Sequence, residues 1–187
     1  MELHDNKKRE MILNSALELF SKRPFHRVTM EDIANKADVA KGTVYYHFDS
    51  KNKLFEYLIT DGLNSIRSRL DTGLKGDDPV EDLRCFIESF LNCFIGEQDF
   101  FSVLQYEELK DPGDIRTKYR KKNRDYCESL TKILDDGMRM GKFRKDIEPN
   151  VLARMIIGMI KSVKNTDHKD VSSLINDMIL NGITKGG

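Results

Sequence analysis

The sequence predicts an all-α protein, and three observations carry that expectation. Apolar residues recur at intervals of three and four through most of the chain. No stretch alternates apolar and polar residues with the period of two that a half-buried strand needs. Only 4 of 187 residues are proline and 12 glycine, with 39% hydrophobic and 33% charged, which suits packed helices rather than disorder or a collagen-like repeat.

Ile12, Leu13, Ala16, Leu17, Leu19 and Phe20 mark an amphipathic first helix over about residues 6–22. Pro24 stops it, because the residue before a proline is pushed out of the α region. Thr29 opens a second helix. Its hydroxyl can accept a bond from an orphan N–H, and Asp32 three places later supplies the reciprocal half of a capping box. Ile33, Ala34 and Ala37 give that helix a short apolar face. Asp38-Val39 reads as a tight turn, and residues 40–47 as a third helix. Asp49 or Ser50 caps a fourth, whose stripe runs through Leu54, Phe55, Leu58, Ile59, Gly62, Leu63, Ile66 and Leu70. At 1.5 Å per residue that rod is ~25 Å long, enough to touch two different cores.

The run Thr72-Gly73-Leu74-Lys75-Gly76-Asp77-Asp78-Pro79 is the clearest linker. Beyond it, Leu83, Phe86, Ile87, Phe90, Leu91, Phe94 and Ile95 predict a fifth helix. Residues 100–109 give a short sixth, ended by Asp111-Pro112-Gly113. Ile115, Tyr119, Tyr126, Leu130, Ile133, Leu134 and Met138 lie on a long seventh. An eighth follows over about 149–163 and a ninth over about 169–183. No internal repeat or low-complexity segment interrupts them.

Composition excludes several classes of function. The chain carries 31 Lys+Arg and 31 Asp+Glu, so wholesale coating of a polyanion is not expected, although a local basic face is compatible. The first ten residues are too charged for a signal peptide, and the apolar run Met155 to Ile160 is far too short to span a bilayer. Cys85, Cys93 and Cys127 are odd in number and lack C-x-x-C spacing, as in reduced intracellular proteins, so a cytoplasmic location is expected. His4, His26, His47 and His168 have no metal-site spacing with cysteine or carboxylate. A Gly-rich phosphate loop, a nucleophile elbow and H-E-x-x-H are all missing from the sequence. No catalytic residue, metal or cofactor is expected, and the protein is read as a non-enzyme.

Residues 29–48, TMEDIANKADVAKGTVYYHF, have helix, short turn, helix spacing, the pattern in which one helix braces another lying in the major groove. Val44 and Phe48 are four apart and face the core together. Lys41 and Tyr45 share a different side, offering a cation, a hydroxyl and a ring to a sugar-phosphate backbone. Lys51 and Lys53 follow at the start of the fourth helix, where the dipole and free N–H groups favour an anion. Residues 1–56 hold ten Lys+Arg against nine Asp+Glu, so affinity must come from placement and from doubling the site.

This stretch closely resembles the DNA-binding segment of TetR-family transcriptional regulators. The resemblance rests on Ala40-Lys41-Gly42-Thr43-Val44-Tyr45-Tyr46-His47-Phe48 and on Lys51-Asn52-Lys53-Leu54, with Phe25 and the helix before it. It implies a nine-helix fold, with a helix-turn-helix domain at 1–53 and a ligand-binding and dimerisation domain at 54–187. It also implies contacts to double-stranded DNA from Thr29, Lys41, Gly42, Thr43, Tyr45, Tyr46, His47 and Lys51. Two positions depart from the family's pattern. Asp38 stands where glycine is common in the turn, and aspartate tolerates a left-handed backbone better than most residues. Ala40 stands where serine is common, which removes a cap worth roughly 1 kcal/mol.

In the remaining two-thirds, Phe86, Phe90, Phe94, Phe100, Phe101, Tyr106, Tyr119, Tyr126 and Met138 either fill a core or line a cavity for a small apolar ligand. The resemblance implies a ligand pocket there. Leu152, Met155, Ile156, Met159, Ile160 and Val163 step by three and four, as do Val171, Leu174, Ile175, Met178 and Ile179. Such stripes either fold back on their own domain or pair with a second copy, with Ala153 and Gly158 permitting close approach. The resemblance implies the second, and Leu152, Met155, Ile156, Met159, Val171, Leu174, Ile175 and Met178 are the expected homodimer face. The overall expectation is a dimeric, ligand-responsive repressor with no membrane partner. A DNA-binding protein of this architecture without a ligand, and a helical binding protein without DNA, are the alternatives.

Overall fold

In the computed structural model, the backbone is described for residues 2–108, 114–162 and 168–184, and side chains within these except at 2–4, 105–108, 114–125 and 168–172. The expected stops at Asp111-Pro112-Gly113 and the end of the eighth helix at Val163 lie outside the described residues. The regular elements among the described residues are all helices, apart from one isolated bridge between Phe143 and Thr184.

Helix α1 (Glu2–Lys22) starts earlier than its apolar stripe predicts, because the polar run before Ile12 is rich in good helix formers and lacks proline and glycine. A 3-10 turn follows at Phe25–Arg27, after Pro24. Then come α2 (Met30–Lys36), α3 (Lys41–His47) and α4 (Lys51–Thr72), the last with Lys53 N donating to the Ser50 hydroxyl at 3.2 Å. They are followed by α5 (Pro79–Gly96), α6 (Gln98–Glu108), α7 (Asp114–Arg139), α8 (Pro149–Ser162) and α9 (His168–Ile183).

Contacts divide the chain into two compact units, Met1–Leu63 with Gln98–Tyr119, and Asn64–Glu97 with Arg120–Gly187. The first unit therefore extends past residue 53 and takes in the start of α4 and α6. Phe55 of α4 meets the rings of Phe20 at 5.0 Å and Phe25 at 4.9 Å, and Phe20 stacks on Phe25 at 5.6 Å. Arg9 braces α1 on α4, donating to the Tyr57 hydroxyl at 2.9 Å and lying 3.9 Å from that ring's centre. The buried Phe100 ring of α6 lies so close to Gly62 of α4 that a β-carbon there would sit 2.3 Å from Cε2. Only glycine lets these two helices approach so closely.

In the second unit α5 packs against α8 and α9 and buries Leu83, Phe86, Ile87 and Phe90 completely. Asp78 caps α5 by accepting from Val80 N at 3.0 Å, with Pro79 at the first helical position. The buried carboxylate of Asp82 accepts Lys75 N and Gly76 N, each at 2.9 Å, and so fixes the linker before α5. Arg144 N donates to Ile183 O at 2.8 Å, tying the loop before α8 to the end of α9. No helix among the described residues is long and apolar enough to cross a membrane.

Candidate nucleic-acid interface

The capping box forms in full. Asp32 N donates to the Thr29 hydroxyl at 3.0 Å, and Thr29 N donates to Asp32 Oδ2 at 2.8 Å. These bonds hold the Asp32 carboxyl below its ordinary pKa, the backbone bond from Thr29 first among the causes. α2 buries Met30, Ile33 and Ala34, and its last turn closes with Ala37 N on Ile33 O and Val39 N on Ala34 O. Asp38 then takes φ +53°, the left-handed conformation expected of it, and is the one non-glycine residue with positive φ among the described residues. That reversal aims α3 away from α2. As expected, Ala40 caps α3 without a side-chain bond.

α3 has two unlike faces. Val44 is fully buried and Phe48 nearly so. Opposite, Lys41 and Gly42 are exposed, Tyr45 is 46% exposed and Tyr46 75%. Thr43 is half-buried, its N–H bonded to Ala40 O at 2.8 Å. Exposed aromatic rings of this size at adjacent helical positions are unusual on a surface with no partner. A β-carbon built on Gly42 meets nothing within 4 Å, so nothing in the chain itself requires glycine there.

Three of the expected contacts, exposed Lys41 among them, also have partners within the chain. Lys41 Nζ lies 3.0 Å from Glu31 Oε2 on α2, which raises the ammonium's pKa. The His47 side chain is almost enclosed, with Nε2 3.5 Å from Asp5 Oδ1 of α1 and no hydrogen bond among the described residues. Lys51 Nζ donates to Phe25 O and Val28 O, both at 2.8 Å, and lies 4.2 Å from the centre of the Phe25 ring. Sequence reading missed Glu31 and these internal partners, because spacing along one helix carries no record of what a neighbouring turn presents. Glu18 was missed too: it takes Lys22 at 2.7 Å and Lys36 at 2.8 Å, which lowers its pKa to about 2 and ties α1 to α2.

Two family models match the chain: bacterial regulatory proteins of the tetR family over residues 12–58, and the tetracyclin repressor-like C-terminal domain over 76–165. The chain belongs to the TetR family. It is a DNA-binding transcriptional regulator by family and not an enzyme. It is 24% identical over 174 residues to the fatty acid metabolism regulator protein of Bacillus subtilis (strain 168), covering 90% of each. It superposes with a TM-score of 0.82 on a Clostridium perfringens protein provisionally named a fatty acid metabolism regulator, at 26% identity, covering 94% of this chain and all of that one. AibR, solved with isovaleryl coenzyme A and operator DNA, matches in fold with a TM-score of 0.78 at 20% identity, covering 95% of this chain and 98% of that one.

The TetR-family C-terminal match covers every residue of the expected pocket. Phe86, Phe90, Phe94, Tyr126 and Met138 are buried in the second unit, Phe86 and Phe90 with near-parallel rings 6.0 Å apart. Phe101 is buried in the first. The side chains of Tyr106 and Tyr119 lie outside the described residues. An open groove of about 790 Å³ also lies in the second unit, lined by Cys127, Thr131, Asp135, Glu148, Asn150 and Arg154 among others, none of them an expected pocket residue.

The α8 and α9 stripes split into rows. Leu152, Ile156 and Ile160 face inward, as do Ile175, Ile179 and Ile183. One position earlier on each helix an outer row stands exposed: Val151, Met155 and Met159, and Leu174 and Met178. Of the expected dimer face, Met155, Met159, Leu174 and Met178 are thus outward. Leu152, Ile156 and Ile175 are buried in the chain itself, while the side chain of Val171 lies outside the described residues.

Proposed function

We propose that this regulator binds a palindromic operator as a homodimer, represses transcription there, and is released by a small, largely apolar molecule. The observation that carries the reading is the exposed edge of α3, Lys41, Gly42, Tyr45 and Tyr46, set on a helix anchored by buried Val44 and Phe48. Such an edge fits a major groove, with the Thr43 hydroxyl beside it as a donor to phosphate. Thr29 can donate there only by giving up its 2.8 Å O–H bond to Asp32, and His47 only by leaving its enclosed site. The ligand half is supported by a second unit rich in buried phenylalanine and by relatives named for fatty acid metabolism or solved with an acyl-coenzyme A. An acyl chain is accordingly the first ligand class to try.

The release mechanism is a linkage. α4 has residues in both units, so a ligand that prefers one setting of this helix lowers DNA affinity by its differential binding energy, typically ~1–3 kcal/mol. Cytoplasmic action follows from the operator. Gel-shift titration with the chain's own upstream DNA tests the reading. The parent is expected to retard it, and Lys41→Ala and Tyr45→Ala to bind at least about tenfold more weakly, the 1.4 kcal/mol that one lost contact removes. Variants that bind as well as the parent would sink the assignment, and an acyl ligand that binds without weakening the operator complex would sink the linkage.

A further inference from the structure

Lysine at the start of α4 invites a simple role: a cation on a helix N-terminus beside the reading head, reaching for a phosphate. The geometry here points elsewhere. Its ammonium has three N–H donors in all. Two of them go to the carbonyls of Phe25 and Val28, at 2.8 Å each, and the charge sits 4.2 Å from the Phe25 ring centre. Carbonyl oxygens facing a cation make charge-assisted bonds, roughly twice as strong as neutral ones. The ring adds a cation–π attraction from the third side.

What those carbonyls belong to matters. Phe25–Arg27 is the 3-10 turn between α1 and α2, and Val28 directly precedes Thr29, the cap of α2. Phe25 is itself fixed against Phe20 and Phe55, and Val28 is fully buried. One side chain thus joins the first residue of α4 to the segment that sets where α2 begins. α2 in turn braces α3.

We propose that Lys51 is a positioning residue for operator binding: it acts by clamping the Phe25–Val28 segment to α4, and not by neutralising a phosphate. The inference rests on the DNA-binding reading above. It makes α4 and α2 move together, so that a displacement at the start of α4 reaches the reading helix through this tie.

Salt dependence separates the two roles. Each phosphate neutralised contributes about 0.9 to the slope of log affinity against log salt, so two lysines in a dimer would contribute about 1.8. A duplex selected by the parent from a randomised library serves as the probe. Lys51→Met is expected to bind it about tenfold more weakly or worse, as loss of charge-assisted bonds implies, with the salt slope unchanged. Lys51→Arg, whose fork can reach both carbonyls and stack on Phe25, is expected to restore most of that affinity. A slope reduced by about 1.8, an unchanged affinity, or failure of Arg to rescue would each overturn the proposal. Should Lys51→Met not fold, the ammonium resonance of Lys51 in the 15N-labelled parent decides the matter. Insensitivity to added duplex supports the clamp, and a phosphate-dependent shift refutes it. A parent that selects no duplex at all overturns the DNA-binding reading instead, and this inference with it.

Discussion

At the scale of single residues, Gly42 is the most informative position on α3. Glycine in a helix interior costs roughly 0.5–1 kcal/mol relative to alanine. Its backbone needs no positive φ, and an added β-carbon would meet nothing within 4 Å. The free protein therefore shows no packing need for glycine here, and on the DNA-binding reading proposed above the open space is left for the duplex. Gly42→Ala, at the second residue of α3, is expected to raise the stability of the free protein by at most about 0.5–1 kcal/mol, the helix-interior value, in denaturant titration. The same variant is expected to lose operator affinity by about tenfold or more, as a methyl meets the backbone of the duplex. Stabilisation with undiminished binding would remove Gly42 from the interface. Other residues at this scale were legible in advance because their role is local. The Thr29–Asp32 box and the left-handed Asp38 depend on a few neighbouring positions, and both formed. Lys51 and His47 were less legible, since their partners lie 26 and 42 positions away in the chain: Phe25 for the first, Asp5 for the second.

At the scale of elements, helix identity was readable because apolar spacing reports it directly, and every expected helix has its counterpart. The polar start of α1 was not, for it carries propensity without periodicity. How helices are tied to one another was hidden as well. Glu18 on α1 holds both Lys22 on its own helix and Lys36 on α2, and these bonds lower its pKa from 4.5 to about 2. A carboxylate whose folded pKa is depressed stabilises the fold fully above its ordinary value and loses that contribution as pH falls toward the folded one. The window here runs from about pH 4.5 down to about 2. Glu18→Gln is expected to melt below the parent near neutrality, with the gap closing through that window as the parent's carboxylate protonates. Thermal melts of both proteins across the window check this, and the difference between them cancels Asp32 and Asp146, whose lowered pKa values act in the same direction. A gap independent of pH would mean that Glu18 acts through packing alone.

At the scale of the whole molecule, a near-balance of charge leaves little for a single reading head to work with. Ten Lys+Arg face nine Asp+Glu over residues 1–56, and one short helix spans few base pairs. Pairing two heads converts the second binding event into an intramolecular one and multiplies affinity by about 10²–10⁴ without any new contact. The outer rows of α8 and α9 are the surface on which that pairing is expected. Met155 is 54% exposed, Leu174 59% and Met178 61%, each a turn or less from another exposed apolar side chain. The sequence showed that these helices carry wide stripes but not which row belongs to the core, because neighbouring rows differ by one position and 100° of rotation. The structure assigns the inner row to the chain's own core, so charge placed on the outer row disturbs assembly without emptying the core. Met155→Glu combined with Met178→Glu is therefore expected to keep its helical circular dichroism and to sediment as a monomer at concentrations where the parent is a dimer. Operator affinity is expected to fall by about 10²–10⁴ and to become steeply dependent on protein concentration, as linkage between assembly and binding requires. A double variant that stays dimeric would place the interface elsewhere, and a parent that sediments as a monomer yet binds its operator tightly would show that one head suffices.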